Sequence, residues 1–500
     1  MAPKFERRCM NTLNLKWCLT GSLGALLAAC MVGPDYHRPS APVPAQYKEL
    51  PGWTAAAPAD GAPKGDWWTE FHDPLLDQLE PMVAVSNQTV RQSYENYQQA
   101  LAEVRVARAQ FFPTLGITGT ATRSGGPGYT GTGAASATSN GVRDSASLQG
   151  TASWTLDLWG QVRRLIEENA AIAQSDEAVL ANATLSEQIL LATTVIELRM
   201  ADANIDLQQR TVDAYRESLR VTKAQGTVGI AATPPSAVIT AQVALESAEA
   251  ALIGLGVARA QYAHAIAVLV GKNPEDLDIP HSQGVPTLPE IPAGVPSTLL
   301  ERRPDIAAAE RTMKAQNAAV GVAVAAYYPT LSLSGSAGFS QSPLQGLLHT
   351  ANHVWSIGAN GTETVFDFGE RHAEVRAAKA AYEAAVASYR NTVLNAFEDV
   401  ENDLSGLRIL ADQAKALDTA VHDATRGAEI ALAEFQAGTV DYTTVAVAQE
   451  TQLSDQQSAL SVQESRLAAA VSLIGDLGGG WSYGQLHDPE VWRQPEQELR

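Results

Sequence analysis

Aromatic residues make up only 6% of this 500-residue chain, and charged residues only 18%. Large compact cores need more aromatic bulk than this; the Ala-, Gln- and Ser-rich stretches in its place suit long helices packed on small side chains. Cysteine is scarcer still. Of three, Cys9 and Cys18 fall in an N-terminal segment expected to be removed. The mature chain would keep one cysteine and no internal disulfide, which excludes thiolate metal sites and cysteine nucleophiles. Basic residues are also short, 35 against 55 acidic, for a net charge of −20; removing 1–29 takes four bases and one acid and leaves 31 against 54, or −23. That sign repels phosphate backbones, so nucleic acid is not expected as a partner. Beyond the first thirty residues no apolar run approaches the roughly 20 residues of a membrane helix, so any crossing must use β-strands. Glycine-rich phosphate loops and the Gly-x-Ser-x-Gly elbow are missing too. His349 and His353 fall in an expected loop without neighbouring Cys or acidic ligands, and suit surface histidines better than a metal site. No catalytic residue, metal or cofactor is expected, and the chain does not read as an enzyme.

What the N-terminus does have is Lys4, Arg7, Arg8 and Lys16, then an apolar run from Leu19 to Ala29, too short for a bilayer but suited to a signal peptide over 1–29. Leu27-Ala28-Ala29-Cys30 resembles the bacterial lipobox, which implies acylation of Cys30 as the mature N-terminus. Met31 in place of Asp implies, within that class, delivery to the outer membrane. An ordinary signal peptide or a buried apolar helix is the other reading. Residues 30–65, rich in Pro and Ala, would form an extended tether that lets the folded part stand clear of the lipid.

The rest of the sequence says the same thing twice. Phe111-Phe112-Pro113-Thr114-Leu115 returns as Tyr327-Tyr328-Pro329-Thr330-Leu331, and Leu156-Asp157-Leu158-Trp159-Gly160 returns as Phe366-Asp367-Phe368-Gly369. Gly229 is matched with Gly438 and Gly271 with Gly475, so the four offsets are 216, 210, 209 and 204. Residues 66–273 form the first repeat, 274–296 a proline-rich linker, 297–477 the second repeat and 478–500 a loose tail.

Each repeat carries helix, hairpin and rod in that order. Helical spacing runs from Leu75 to Gln110, with Trp67 and Trp68 before it expected to pack on neighbouring helices. The period then changes to two: Leu115, Ile117, Gly119 and Ala121 alternate with Thr114, Gly116, Thr118 and Thr120. A glycine-rich loop, Ser124 to Asp144, leads to a return strand, giving a hairpin over about 114–158; its counterpart covers about 330–367, with alternation faltering from Thr362 to Phe366. Gln161 to Gln225 contains no Gly or Pro, and places Leu165, Ile172 and Val179, then Ile189, Ile196 and Ala203, at the sevenfold spacing of a coiled-coil seam. Such a rod would reach roughly 100 Å. Glu370 to Ala437 is its counterpart, and both rods turn back at tips, Gly226 to Pro235 and Gly438 to Asp441. Four strands of bilayer length with one apolar and one Ser/Thr/Gly face cannot close a barrel, and an open edge is not tolerated in hydrocarbon. Three chains would supply twelve strands around a water-filled lumen, although the sequence does not fix that number.

Together with the lipobox, Val32-Gly33-Pro34-Asp35-Tyr36 with Pro39, Trp67-Trp68 with Phe71, Asp73-Pro74-Leu75, the repeated aromatic-Pro-Thr-Leu, Leu300-Glu301-Arg302-Arg303-Pro304-Asp305-Ile306 and Phe366-Asp367-Phe368-Gly369 carry a specific resemblance. The chain resembles the TolC-like outer membrane factor family, in the lipoprotein branch that serves multidrug efflux pumps. The resemblance implies an α+β membrane protein: a trimeric twelve-stranded transmembrane β-barrel, four strands per chain, continued by a long α-helical coiled-coil barrel across the periplasm. It implies as partners a periplasmic adaptor protein, an inner-membrane transporter of the RND type and outer membrane lipid, with the chain anchored at the cell outer membrane through Cys30. The implied function is passive conduction of drugs or other small solutes; a duct for type I protein secretion and a non-channel envelope spacer are the alternatives.

The tip residues Gly229, Gly438, Thr439 and Asp441 are candidate adaptor contacts, although a turn is needed there in any case. Pro304 and Asp305 suit the first turn of a helix. In family members the helix after each tip often carries inward carboxylates; here Ala237-Val238-Ile239-Thr240-Ala241-Gln242 and Thr444-Val445-Ala446-Val447-Ala448-Gln449 carry none, Pro234-Pro235 is an apparent insertion, and Asp441 is the nearest substitute. Glu398, Asp399 and Glu401 read as a solvated or lumen-facing patch.

Overall fold

The computed structural model describes residues 31–44, 46–49, 66–125, 143–228, 234–289, 291, 302–341 and 347–489, and among these helix-forming composition and period-two alternation give seven α-helices and four strands. After a 3-10 turn at Trp67–Phe71 come α1 (Pro74–Ser86), α2 (Gln88–Ala109), β1 (Thr114–Ser124), β2 (Arg143–Leu156), α3 (Gln161–Val228) and α4 (Pro235–Leu269). The second repeat gives α5 (Pro304–Ala325), β3 (Thr330–Gln341), β4 (His353–Thr362), α6 (Glu370–Gln436) and α7 (Tyr442–Asp476).

One helix was expected over Leu75 to Gln110, and there are two. Asn87 takes an extended backbone between them, and its side-chain oxygen accepts from Thr89 N (2.8 Å) and Val90 N (3.2 Å), capping α2. Its amide nitrogen donates to Leu269 O and Glu187 Oε2, both at 2.9 Å, so a single buried residue ties α1 and α2 to α3 and the end of α4.

The strands form one antiparallel meander in the order β1-β2-β3-β4. Ile117 sits opposite Gly150, Gly150 opposite Ala337, Ala337 opposite Trp355; Thr118 sits opposite Gln149, and Ser336 lies between Thr151 and Ser356. This register collects the apolar positions on one face, Val354 excepted, and the hydroxyls on the other. Hydroxyl pairs cross the polar face at Thr114–Ser153 (2.7 Å), Thr120–Ser147 (2.6 Å) and Ser336–Ser356 (2.9 Å). On the apolar face Leu115, Ile117, Trp355 and Ile357 are exposed, each 70% or more. β4 ends at Thr362, so residues 363–367 are not strand, and His353 opens β4, stacking edge-on against Phe339. Among the described residues the outer edges of β1 and β4 have no partner strand.

The rods α3 and α6 run 68 and 67 residues, about 100 Å each. Both return helices have 35 residues. The expected match of Gly271 with Gly475 is corrected by the structure: the partner is Gly478. Each is left-handed (φ +70° and +98°) two residues beyond its helix, each is followed by a hydrogen bond spanning five residues (Lys272 N to Ala267 O, 2.8 Å; Gly479 N to Ile474 O, 3.0 Å), and each lies against a backbone carbonyl, Ser86 O or Arg302 O. Gly475 is helical and packs on Ile189. Starts, ends and caps of the return helices therefore all share an offset of 207.

The core joins both repeats: Leu76, Leu79, Leu191, Ile196, Ile266, Ile306, Tyr389, Val393, Val400 and Leu473 belong to one cluster with Trp67, Trp68 and Phe71. The sevenfold seam holds only partly. Ile196 is fully buried, but Ile172 and Val179 are 39% and 44% exposed while Ala170, Ala171 and Ala173 are buried, because α2 and α5 flank this stretch of α3 and prefer its small residues. The expectation of no membrane-length apolar run is also corrected, since α3 and α4 each contain an 18-residue window apolar enough to cross a membrane by length and composition. Both windows lie in helices that form a hairpin with each other, and much of the α4 window, including Ile253 and Val257, is uncovered in the single chain.

Candidate functional site: the sheet, its junction with the rods, and the tips

A duct needs a wall that passes lipid, a joint between strand and helix, and an end that meets a partner; the chain builds the joint twice with one device. Asp157 accepts Val162 N (3.0 Å), Arg163 N (3.2 Å) and Arg163 Nε (3.1 Å), while Asp367 accepts Gly369 N (3.0 Å), Arg371 N (3.4 Å) and Arg371 Nε (2.5 Å). A carboxylate over the first turn complements the helix dipole, and Gly160 and Gly369 (φ +80° and +92°) supply the sharp entry. The repeated Asp-x-(Trp)-Gly pattern is thus the start of each rod. Around it stand aromatic rings: Trp159 stacks on Tyr328 at 4.9 Å and donates to Pro329 O, Trp154 donates to Phe111 O, and Phe112, Phe366 and Phe368 are exposed. Aromatic belts of this kind mark where strands leave hydrocarbon for water.

The N-terminal segment docks at this joint. Instead of standing clear of the folded part, residues 31–44 and 46–49 are strapped along it. Val32 N donates to Trp159 O (3.1 Å), and Arg164, 1% exposed, donates to Val32 O, Gly33 O and Asp35 and pairs with Glu167 at 2.7 Å. Gly33 and Gly321 approach so closely that a Cβ on Gly33 would sit 2.5 Å from Gly321 Cα. Further along, Tyr36 donates to Glu310, Arg38 to Tyr389, and the backbone N–H groups of Lys48 and Glu49 to Glu401 at 2.6 and 3.0 Å. Glu401 is therefore a structural acceptor for the strap, and Asp399 faces Arg303 at 3.5 Å, so the solvated-patch reading is corrected for these two, while Glu398 is exposed. Cys30 lies outside the described residues, but Met31 packs on Gly160 at the aromatic joint. The tail is likewise fastened as far as 489: Tyr483 donates to Glu310 and His487 N to Glu177.

At the far end of the rods, Gly229 lies outside the described residues. The second tip is described in full. Gly438 is left-handed (φ +76°), Thr439 reaches Glu434 O with its N–H (3.0 Å) and hydroxyl (2.8 Å), and Asp441 caps α7 by accepting Thr444 N at 3.1 Å. Gly438, Thr439 and Asp441 are all exposed. Beneath them Phe435, Tyr442, Val445, Ala237 and Ala241 pack together. Gln449 is buried against Ser218, so the acid-free stretches noted in the sequence serve helix packing. Pro235 occupies the first turn of α4 with Pro234 extended before it, and Pro304 does the same for α5, where Asp305 accepts Ile306 N and pairs with Arg303. Among the described residues no group of three or more His, Cys, Asp or Glu could hold a metal.

The pattern of the outer membrane efflux protein family matches residues 81–272 and 295–479. The chain belongs to that family. Over 460 residues it is 32% identical to TtgC of Pseudomonas putida, a probable efflux pump outer membrane protein, across 91% of this chain and 94% of that one. Outer membrane protein OprJ of Pseudomonas aeruginosa is 30% identical over 470 residues, 92% and 95% of the two chains. The MtrE outer membrane channel of Neisseria gonorrhoeae, solved in an open state, matches with a TM-score of 0.80 at 25% identity, across 91% of this chain and 99% of that one. The efflux-family fold accounts for the molecule as described: strands with a lipid-facing and a polar face, continued by helical rods. With an efflux pump outer membrane protein and an outer membrane channel among its relatives, this chain is the outer membrane channel component of an efflux system.

Two buried carboxyls were not legible in the sequence. Glu80 in α1 is fully buried with neither oxygen hydrogen-bonded, and burial pushes it up to about 9. Asp403 in α6 is raised to about 8 by burial and by its hydrogen-bonding contact with Asp476. Native Glu80 and Asp403 hold protons that the unfolded chain has released above about pH 4, so folding takes protons up. Stability from these groups is fully present below that pH and lost as pH rises towards 8 to 9. Thermal unfolding in detergent should show this decline, and Glu80→Gln with Asp403→Asn should flatten it; an unchanged slope in the double variant would contradict the assignment.

Proposed function

We propose that the chain is the outer membrane duct of a three-part efflux assembly, working as a homotrimer, anchored by an acylated Cys30 and conducting drugs or other small solutes without chemistry of its own. The observation that carries this reading is the sheet. Four strands of bilayer length expose a continuous apolar face, and they leave both edges open. Only other copies offer a complementary edge, and twelve strands enclose a lumen lined by the Ser/Thr face. The uncovered apolar stripe of α4 supports the same assembly. The exposed second tip, with Gly438, Thr439 and Asp441, and the first with Gly229, are where a periplasmic adaptor would dock, linking the duct to an inner-membrane transporter of the RND type. Residue 31 at the aromatic joint supports a lipid on Cys30 lying at membrane level.

The test uses the full chain from native membranes. It should run as a trimer in detergent, open pores in planar bilayers, co-purify with an adaptor and incorporate palmitate that Cys30→Ser loses. A monomer without conductance would sink the duct, and a protein export defect with normal drug resistance would reassign its cargo.

A further inference from the structure

Between the linker and the helices lies a cavity of about 540 Å³. Its wall includes Leu207 and Arg210 from α3, Asp418 from α6, Leu460 and Arg466 from α7, and Leu288 from the linker. The chain carries a large acid excess, yet Arg210, which is exposed, and Arg466, which is half-buried, have no ion-pair partner among the described residues, and the Nε of Arg466 is covered without an acceptor. A buried guanidinium donor left unmade is costly, so an acceptor belongs in this space. Asp206, also on the wall, is already engaged with His281 Nε2 at 3.0 Å.

We propose that this cavity is a binding site for a small organic monoanion, a carboxylate on an apolar body. A carboxylate matches the two-point geometry of a guanidinium fork, and Leu207, Leu288 and Leu460 offer an apolar wall to the remainder. Asp206 and Asp418 in the same wall disfavour a second negative charge, which sets a monocarboxylate apart from a phosphate. The volume falls within the roughly 300–1,000 Å³ of small-molecule sites. Because α3 and the linker precede the second repeat while α6 and α7 belong to it, an occupant bridges the two halves.

The probe is 4-phenylbutyrate, titrated calorimetrically into the full chain in detergent, with 4-phenylbutanamide and inorganic phosphate as comparisons. The acid should bind saturably and about tenfold or more tighter than either, as expected for a hydrogen bond to a charged group. Arg466→Met should weaken it about tenfold at unchanged melting temperature, whereas Asp418→Asn should tighten it about threefold by removing a like charge. That gain cannot come from misfolding. Equal binding of acid and amide, phosphate as tight as the acid, an indifferent Arg466→Met or no gain from Asp418→Asn would each overturn the proposal. None of these results would touch the duct, whose pores and partners are read separately.

Discussion

Replacing Asp73 by Ala is expected to cost the folded chain about 5 kcal/mol, combining a broken buried ion pair with a lost helix cap. Arg199 Nε meets Asp73 Oδ2 at 2.8 Å, and the two side chains are 8% and 6% exposed. The same carboxylate caps α1 by accepting Leu75 N at 2.7 Å and Leu76 N at 3.4 Å. Removing it leaves a buried guanidinium alone in the core and the first turn of α1 open. Asp73→Asn keeps an oxygen for the cap and loses only the charge, so it should cost about 1 kcal/mol less. Denaturant midpoints in detergent separate the two; equal effects from Ala and Asn would show that the cap contributes nothing.

Gly338→Val should be worse for assembly than for the rods. A Cβ on Gly338 would sit 2.1 Å from Leu148 O and 2.6 Å from Gln149 Cα, and both obstacles are backbone. The branched side chain must push β2 and β3 apart at the seam that joins the hairpins, at roughly 3 kcal/mol or more. The expected result is loss of the heat-resistant oligomer and of bilayer conductance, with the helical circular dichroism signal retained. Ser336→Val, on the same strand and face, is the control that should leave both intact. If Gly338→Val still conducts, the seam is more tolerant than its geometry implies.

The strands were legible because lipid on one side and water on the other impose a strict period of two, and the register follows once Leu115, Gly150, Ala337 and Trp355 must share a face. The rods were legible because Pro is absent from both and Gly is absent from Gln161 to Gln225, with only Gly406 and Gly427 inside α6. Less visible were contacts in which one residue serves two remote elements. Asn87 breaks a helix that its neighbours would continue, and it does so because its amide closes on Leu269 O, far away in sequence. Glu401 looked solvated because its partners are backbone N–H groups of Lys48 and Glu49, which carry no sequence signature. Gly475 stands in the sequence as the counterpart of Gly271 because three more glycines follow within five residues and composition alone does not mark the one at positive φ beside a carbonyl. At the tips, Gly438 was recognisable as a turn, whereas the capping role of Asp441 emerged only with Thr444 beside it.

The two unpaired strand edges also govern how defects spread. A chain with two open strand edges and only four strands between them cannot seal itself, so closure is an encounter between molecules and slows steeply as the chain becomes dilute. A copy crippled only in β4 would still offer a sound β1, enter a growing ring and leave it open. Co-expressed with the intact chain, such a copy should act dominantly, with harm greater than its share of the population.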